Sequence, residues 1–348
     1  MKPTTPLPLL ASMLMAWSTS APGQSTSTLQ AFGATAGLGP EQVAVVVNEE
    51  DPASVALAEH YRLVRKIPAG NLVRVRIPGS PRRLTAAQFA DLRRQLDAQL
   101  AADIQVLALA WTAPYAVDCQ SITAALALGF EPGLCERTCA PSRASPYFDS
   151  NSQRPYTDLG IRLAMLLPSE PAGLGEQLIE RGWHADRSRP AADAYFLITS
   201  DTARNSRVRF FPPSSHLAGS ELNIHTIRAE QIEYRHDIMV YETGAVRVDK
   251  LETLSFLPGA LADHLTSAGG DLLGDGQMSA LRWLEAGATA TYGTVSEPCN
   301  YWQKFPNPQI LLKHYLRGET AVEAYWKSVA WPAQGVFVGE PLAAPYRR

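Results

Sequence analysis

"QVAVVVNEEDPASVALAEHYRLVRK", Gln42 to Lys66, decides the reading of this chain. Its first part is a continuous β-branched run, too apolar for a strand with one wet face, so it predicts a strand covered on both sides. Asp51 then stands as a helix N-cap with Pro52 at the first helical position, where the missing N–H costs nothing. Strand followed by helix is the unit of an α/β sheet.

The same alternation continues outward. "NLVRVRIP" predicts a second strand, "TAAQFADLRRQLDAQLAA" a second helix, and "IQVLALAW" a third strand with another apolar-throughout composition. From Thr112 to about Ala192 the pattern dissolves into short pieces rich in Pro, Ser and Arg, which reads as an irregular insertion. Periodic sequence returns with "AYFLITSD", "DIMVYETG", "LSFLPGALADHL", the helix "GQMSALRWLEAG", "ATATYGTV" and "GVFVGEPL". The expected fold is therefore α/β, a three-layer sandwich around a mainly parallel sheet of six or more strands.

At 348 residues with 46% hydrophobic and 19% charged residues, the chain is long enough for one sizeable core over 41–348. Its formal charge of −3 offers no basic stripe for phosphates, so nucleic acid is not an expected partner. The beginning carries one lysine, an apolar stretch from Leu7 to Trp17, and Ala21-Pro22-Gly23 ahead of Gln24; this predicts an export signal over 1–23. Residues 24–40 read as a Ser/Thr/Ala/Gly linker. The expected location is periplasmic or secreted, with no membrane span once the signal is removed.

Export would place the four cysteines in an oxidising compartment. Cys119, Cys135 and Cys139 cluster in the insertion, and at least one disulfide is expected among them, with the pairing open and Cys299 outside it. A bridge from Cys119 to Cys135 would be worth about 3 kcal/mol on loop-closure grounds. Three thiols with no histidine nearby in sequence do not make a zinc site. No metal or cofactor is expected.

In an open parallel sheet, ligands and catalytic groups gather beyond the carboxyl ends of the strands. Those ends offer Asn48, Trp111 with Thr112, Ser200 with Asp201, Glu242 with Thr243, Asp263 with His264, and Glu297 with Cys299. His264 and Cys299 are the reactive pair, since imidazole lowers a thiol's pKa, with Glu242 the nearest acid to complete a constellation. The competing reading makes Cys299 a structural thiol and His264 a hydrogen-bonding loop residue. Asp263, Thr266, Ser267, Glu297 and Lys304 are the expected ligand-binding polar groups. In "LADHLTSAGGDLLGDGQ", calcium would need Asp or Asn at alternate positions and a closing Glu, which Asp263, Asp271 and Asp275 do not supply. The glycines of "TSAGG" read as a turn with Gly269 and Gly270 at positive φ, and Asp275 or a neighbour as the next helix cap.

Five segments carry a resemblance: "VVVNEEDPASVALAEHYRLVRKIPAGNLVRV", "VDCQSITAALALGF", "LSFLPGALADHLTSAGG", "GATATYGTVSEPCNYWQKFPNP" and "GEPLAAP". Together they resemble an uncharacterised family of exported bacterial proteins, from about Glu41 to Tyr346. More distantly, the second half is similar to gingipain-like cysteine peptidases of the caspase-haemoglobinase fold. That likeness puts "MVYETGAV" at the histidine turn, "LADHLTSAGG" at the cysteine turn, and Glu340 where those enzymes carry aspartate. Glu242-Thr243-Gly244 then replaces His-Gly, and no cysteine lies between Asp263 and Gly270, so the resemblance implies the fold without the dyad. The expected function is binding of an envelope or extracellular ligand, a small molecule or peptide, at the strand-end cleft. The alternative is a thiol-dependent hydrolase or peptidase using Cys299 and His264.

Overall fold

In the computed structural model, which describes Met1, Pro3 and residues 35–348, the opening stretch folds as its residues dictate. Strand β1 (Val43–Asn48) is buried at every position, and helix α1 (Pro52–Arg65) starts where the Asp51 carboxylate accepts the Ala53 N–H. β2 (Leu72–Val75) follows, then the two-residue β3 (Arg83–Leu84) and helix α2 (Ala86–Asp97), opened by a capping box between Thr85 and Gln88. β4 (Val106–Leu109) closes this half.

The stretch expected to be irregular is only partly so. It holds β5 (Ala116–Val117), β6 (Gln120–Ser121), α3 (Ile122–Leu128) and α4 (Pro155–Leu159), and β3, β5 and β6 form a small separate sheet. From Leu163 onward it belongs to the main architecture: β7 (Leu163–Leu166) is a strand of the large sheet, and α5 (Leu174–Ala185) packs beside α1. The four-residue "LAML" is too short to stand out by period between Arg162 and the "PSEP" turn, and α5 starts at Gly173 without a side-chain cap.

The second half adds β8 (Ala192–Ile198), β9 (Ser215–Leu217), β10 (Leu222–Arg228), β11 (Ile238–Gly244) and β12 (Phe256–Leu265). α6 (Leu281–Glu285), β13 (Ala290–Thr294), α7 (Pro308–Leu316), α8 (Ala321–Ser328) and β14 (Gly335–Gly339) complete it. All the long strands join one 11-stranded sheet in the order β2-β1-β4-β7-β14-β13-β12-β11-β8-β10-β9. Alternation along β14 assigns the layers: Phe337 stacks on Trp326 of α8, while Glu340, three residues on, lies against Gly182 of α5. Helices thus cover both faces, and the architecture is the expected three-layer α/β sandwich.

One feature of the topology was not in the pattern. β14 pairs parallel with β7 but antiparallel with β13, so the strands on either side of that junction run in opposite directions. The carboxyl ends of β1, β4 and β7 therefore point to one end of the sheet and those of β8, β11, β12 and β13 to the other. Asn48 and Trp111 do not share a rim with His264.

β14 is held at its carboxyl end by a buried clamp. The Arg65 guanidinium spans both oxygens of Glu340 and donates to Asp186 Oδ2 at 2.6 Å, while the Tyr61 hydroxyl donates to Glu340 Oε1 at 2.7 Å. Every oxygen of Glu340 is satisfied, which is what a buried charge requires. A Cβ at Gly182 would collide with the Glu340 carboxylate, so that helix position has room only for glycine.

The export segment over 1–23 lies outside the described residues apart from Met1 and Pro3, as do 24–34 of the expected linker. Residues 35–40 are not loose: the Thr35 N–H donates to the Arg317 carbonyl at 3.0 Å, and Leu38 is fully buried with its N–H on Glu323 Oε2 at 2.9 Å. No described helix is long and apolar enough to cross a membrane.

Candidate functional site

β11, β12 and β13 are adjacent and parallel, so the three strand ends named from sequence do converge. Register pairs Glu242 with Asp263 and Thr243 with His264. Side chains alternate along a strand, so the two acids face one layer and the histidine faces the other.

On the acid side, Arg207 enters from the segment between two short 3-10 turns, Thr202–Asn205 and Val208–Phe210. Its Nη1 lies 3.0 Å from Glu242 Oε2 and its Nη2 lies 2.5 Å from Asp263 Oδ1, with the same Nη2 donating to the Thr243 carbonyl at 3.0 Å. All three side chains are buried. Two carboxylates face one guanidinium, and burial pushes Glu242 well above the usual carboxylate range and Asp263 up as well, against the pull of Arg207. The chemistry of this cluster is that of an internal ion group, two buried acids around one buried guanidinium. Arg207 was not anticipated. The signal for it was present, since two acids in otherwise apolar strands must find a cation.

His264 is built into the opposite layer. Trp283 Nε1 donates to its Nδ1 at 2.9 Å, and its Nε2 faces the Met278 carbonyl at 3.1 Å. Those partners fix the tautomer: Nδ1 accepts, Nε2 carries the proton, and the ring is neutral. Burial, the largest cause, moves its pKa down to about 3. An imidazole with both nitrogens engaged and no solvent contact has no lone pair to offer a thiol.

The turn after β12 is organised by Gln277, whose Oε1 accepts from the Thr266 hydroxyl at 2.8 Å and from the Ala268 N–H at 2.7 Å. The Thr266 hydroxyl also faces Arg204 Nε at 3.4 Å, and the Ser267 carbonyl accepts from the Thr294 hydroxyl at 3.0 Å. Gly269 and Gly270 are not at positive φ, contrary to expectation. Gly270 is needed because its main chain lies against Gly293 of β13, where an added Cβ would meet the Gly293 carbonyl oxygen at 2.5 Å. Nor does Asp275 cap α6: it is exposed, and Ser279 Oγ accepts the Leu281 N–H at 3.2 Å.

The cysteines pair fully. Cys119 is bonded to Cys135, one of the pairings left open by the sequence. Cys139 is bonded to Cys299, which corrects the expectation that Cys299 stays outside the disulfides. The loop after β13 is tied down further: Cys299 N–H donates to the exposed Glu297 carboxylate at 2.7 Å, Ser296 Oγ to the Cys119 carbonyl at 2.7 Å, and Gln334 Nε2 to the Glu297 carbonyl at 2.7 Å. Lys304 is buried with Nζ on the Thr138 carbonyl at 2.5 Å and over the Tyr301 ring at 5.3 Å, and burial lowers its pKa to about 8. Tyr301 meets Trp331 at 5.6 Å and Trp302 meets Phe210 at 4.6 Å, so the aromatics seat the loop on the body. Glu297 and Lys304 thus serve the loop's own geometry. Cys299 and His264 follow adjacent strands but form no dyad, because the sulfur is bonded to Cys139 and both ring nitrogens are taken.

A ligand-sized concavity lies elsewhere, past the carboxyl ends of β1 and β2. Asn48, the last residue of β1, accepts the Ile77 N–H on Oδ1 at 3.0 Å and donates to Ser80 Oγ at 3.1 Å, which folds the chain after β2 over the strand end. The resulting groove has a volume of about 420 Å³, with Ile77, Leu84 and Leu92 as apolar lining and Glu50, Arg76 and Asp91 as charged lining. No protein-family model, curated protein or solved structure matches this chain.

Proposed function

We propose that this chain is an exported binding protein without thiol chemistry, which holds an envelope or extracellular ligand in the groove beyond the carboxyl ends of β1 and β2. The observation that carries the reading is the bonding of Cys299 to Cys139, which leaves the one strand-end cysteine without a nucleophilic sulfur. Two disulfides fit a protein of an oxidising compartment. The engaged ring of His264 supports the same reading. A groove of mixed apolar and charged lining at strand ends is the usual form of a ligand site in such sheets.

The test is a thermal-shift screen of fractionated envelope extract against the oxidised protein and an Asp91→Trp variant, whose indole would fill the groove. A fraction that raises the melting temperature of the parent and not of the variant is the expected result. Stabilisation of both alike, or of neither, would remove the groove as the site.

A further inference from the structure

β2 is an edge strand, first in the sheet order, and its free side is occupied in an unusual way. Outward-facing backbone groups belong to Arg74 and Arg76, because the residues between them face β1, where the Glu49 N–H donates to the Val75 carbonyl at 2.9 Å. Gln99 Oε1 accepts the Arg74 N–H at 3.1 Å, and Gln99 Nε2 donates to the Arg74 carbonyl at 2.8 Å. Gln95 repeats this on Arg76, at 2.8 and 3.2 Å. The match is geometric: two residues of strand advance about 6.6 Å, and four residues at helical rise, from Gln95 near the end of α2 to Gln99 in the turn that continues it, advance about 6 Å, so carboxamides four apart meet peptide groups two apart. Each carboxamide presents a donor and an acceptor side by side, as a neighbouring strand would.

We infer that the β2 edge is a strand-addition site for an extended acidic peptide, gated by Gln95 and Gln99. This rests on the binding reading above and names the class of ligand. Gln99 is exposed and Gln95 half-buried, and each carboxamide is tethered by rotatable bonds, so an incoming peptide backbone replaces it bond for bond. The charge of the partner follows from the strand. Arg74 and Arg76 present side chains 51% and 72% exposed on one face, and both lie within 4 Å of Glu49, at 3.6 and 3.4 Å, with Glu59 acting on Arg74 from further away. An added strand sets its own side chains directly opposite these, where opposite charge is favourable and like charge is not. A second copy of β2 would oppose arginine with arginine, which disfavours self-pairing. Alternate residues of the added strand face the other way, toward the side of Val73, Val75 and the apolar groove lining at Ile77. The fitting sequence alternates acidic and apolar residues.

The probe is acetyl-Val-Glu-Val-Glu-Val-amide, with the lysine-for-glutamate peptide as counter-probe, titrated into the full chain and followed by NMR at the Arg74 and Arg76 amides. The glutamate peptide is expected to shift and protect both amides and release the Gln95 and Gln99 side-chain signals, with the lysine peptide at least about tenfold weaker. Gln95→Ala/Gln99→Ala removes the gate and its four solvent-facing hydrogen bonds to Arg74 and Arg76, and is expected to tighten binding at least about tenfold. Equal binding of the two peptides would overturn the acidic assignment. Peptide-induced shifts at the groove residues Arg76, Ile77 and Leu92, with the Arg74 amide unmoved and still bonded to Gln99, would overturn strand addition while leaving the groove as a site. Dimerisation of the double variant without peptide would make a second copy the occupant and overturn the proposal. Absence of any peptide response, with an envelope fraction still stabilising the protein through the groove, would overturn the peptide class and leave the binding reading intact.

Discussion

Cys299 Sγ is bonded to Cys139 Sγ across a sequence separation of 160 residues, tying the loop after β13 to the segment between β6 and β7. A cross-link over so long a span removes much conformational freedom from the unfolded chain. Cys139→Ser is expected to lower unfolding free energy by roughly 2–5 kcal/mol, measured by denaturant titration of the non-reduced protein. An unchanged transition midpoint would show that the bridge does not constrain the unfolded state.

His264 gives the fold a dependence on acid. The ring is neutral when folded, with its pKa down at about 3, while the unfolded chain takes up a proton near its ordinary value of 6.5. The contribution of His264 is therefore complete above about pH 6.5 and is lost as pH falls from there towards 3. His264→Phe is expected to flatten the stability profile between those limits. It should also cost about 2–4 kcal/mol at neutral pH, because the Trp283 N–H and the Met278 carbonyl lose their partner. Chemical denaturation of both proteins at several pH values checks the slope, and parallel profiles would contradict the assignment.

The acid group on the other face predicts the opposite sign. Burial raises Glu242, so the folded state holds a proton that the unfolded chain releases above about 4.5, and stability falls as pH rises past that value. Glu242→Gln removes the excess negative charge with little change of shape, and is expected to be neutral or stabilising at pH 8. Arg207→Met leaves two buried carboxylates unpaired and is expected to cost about 3–5 kcal/mol. A destabilised Glu242→Gln protein would mean that both carboxylates are ionised in the native state.

Gly182 and Glu340 test the clamp on β14. Gly182→Ala should destabilise by about 2–4 kcal/mol through collision with the Glu340 carboxylate, despite the better helix propensity of alanine. Combined with Glu340→Ala, which removes the obstacle, the two losses should fall well short of additive. Additive losses in a double-mutant cycle would mean that the residues do not meet.

How much of this was legible depended on whether the signal is local. Asp51 and Pro52 announce α1, and the β-branched run before them announces a strand buried on both faces, because caps and periodicity act over a few residues. β7 escaped because five apolar residues between an arginine and a proline-rich turn carry no period. Strand direction at β14 is a property of pairing and leaves no mark on "GVFVG" itself. The partnership of Cys299 with Cys139 likewise depends on tertiary contact, and the two cysteines looked separable only because they are distant in sequence. Arg207 was hidden differently: "RNSRVRFF" reads as a solvated basic turn, and only the unbalanced acids Glu242 and Asp263 called for a buried cation. Gln95 and Gln99 look like ordinary surface helix residues until β2 is known to be an edge.

The absence of thiol chemistry is tested most directly by freeing the sulfur. Hydrolysis of a broad fluorogenic peptide library by Cys139→Ser, which leaves Cys299 as a thiol, should not exceed that by Cys139→Ser/Cys299→Ser, since His264 is neutral and fully engaged in either protein. Cleavage by the single variant that vanishes in the double variant would contradict the account and make Cys299 a nucleophile.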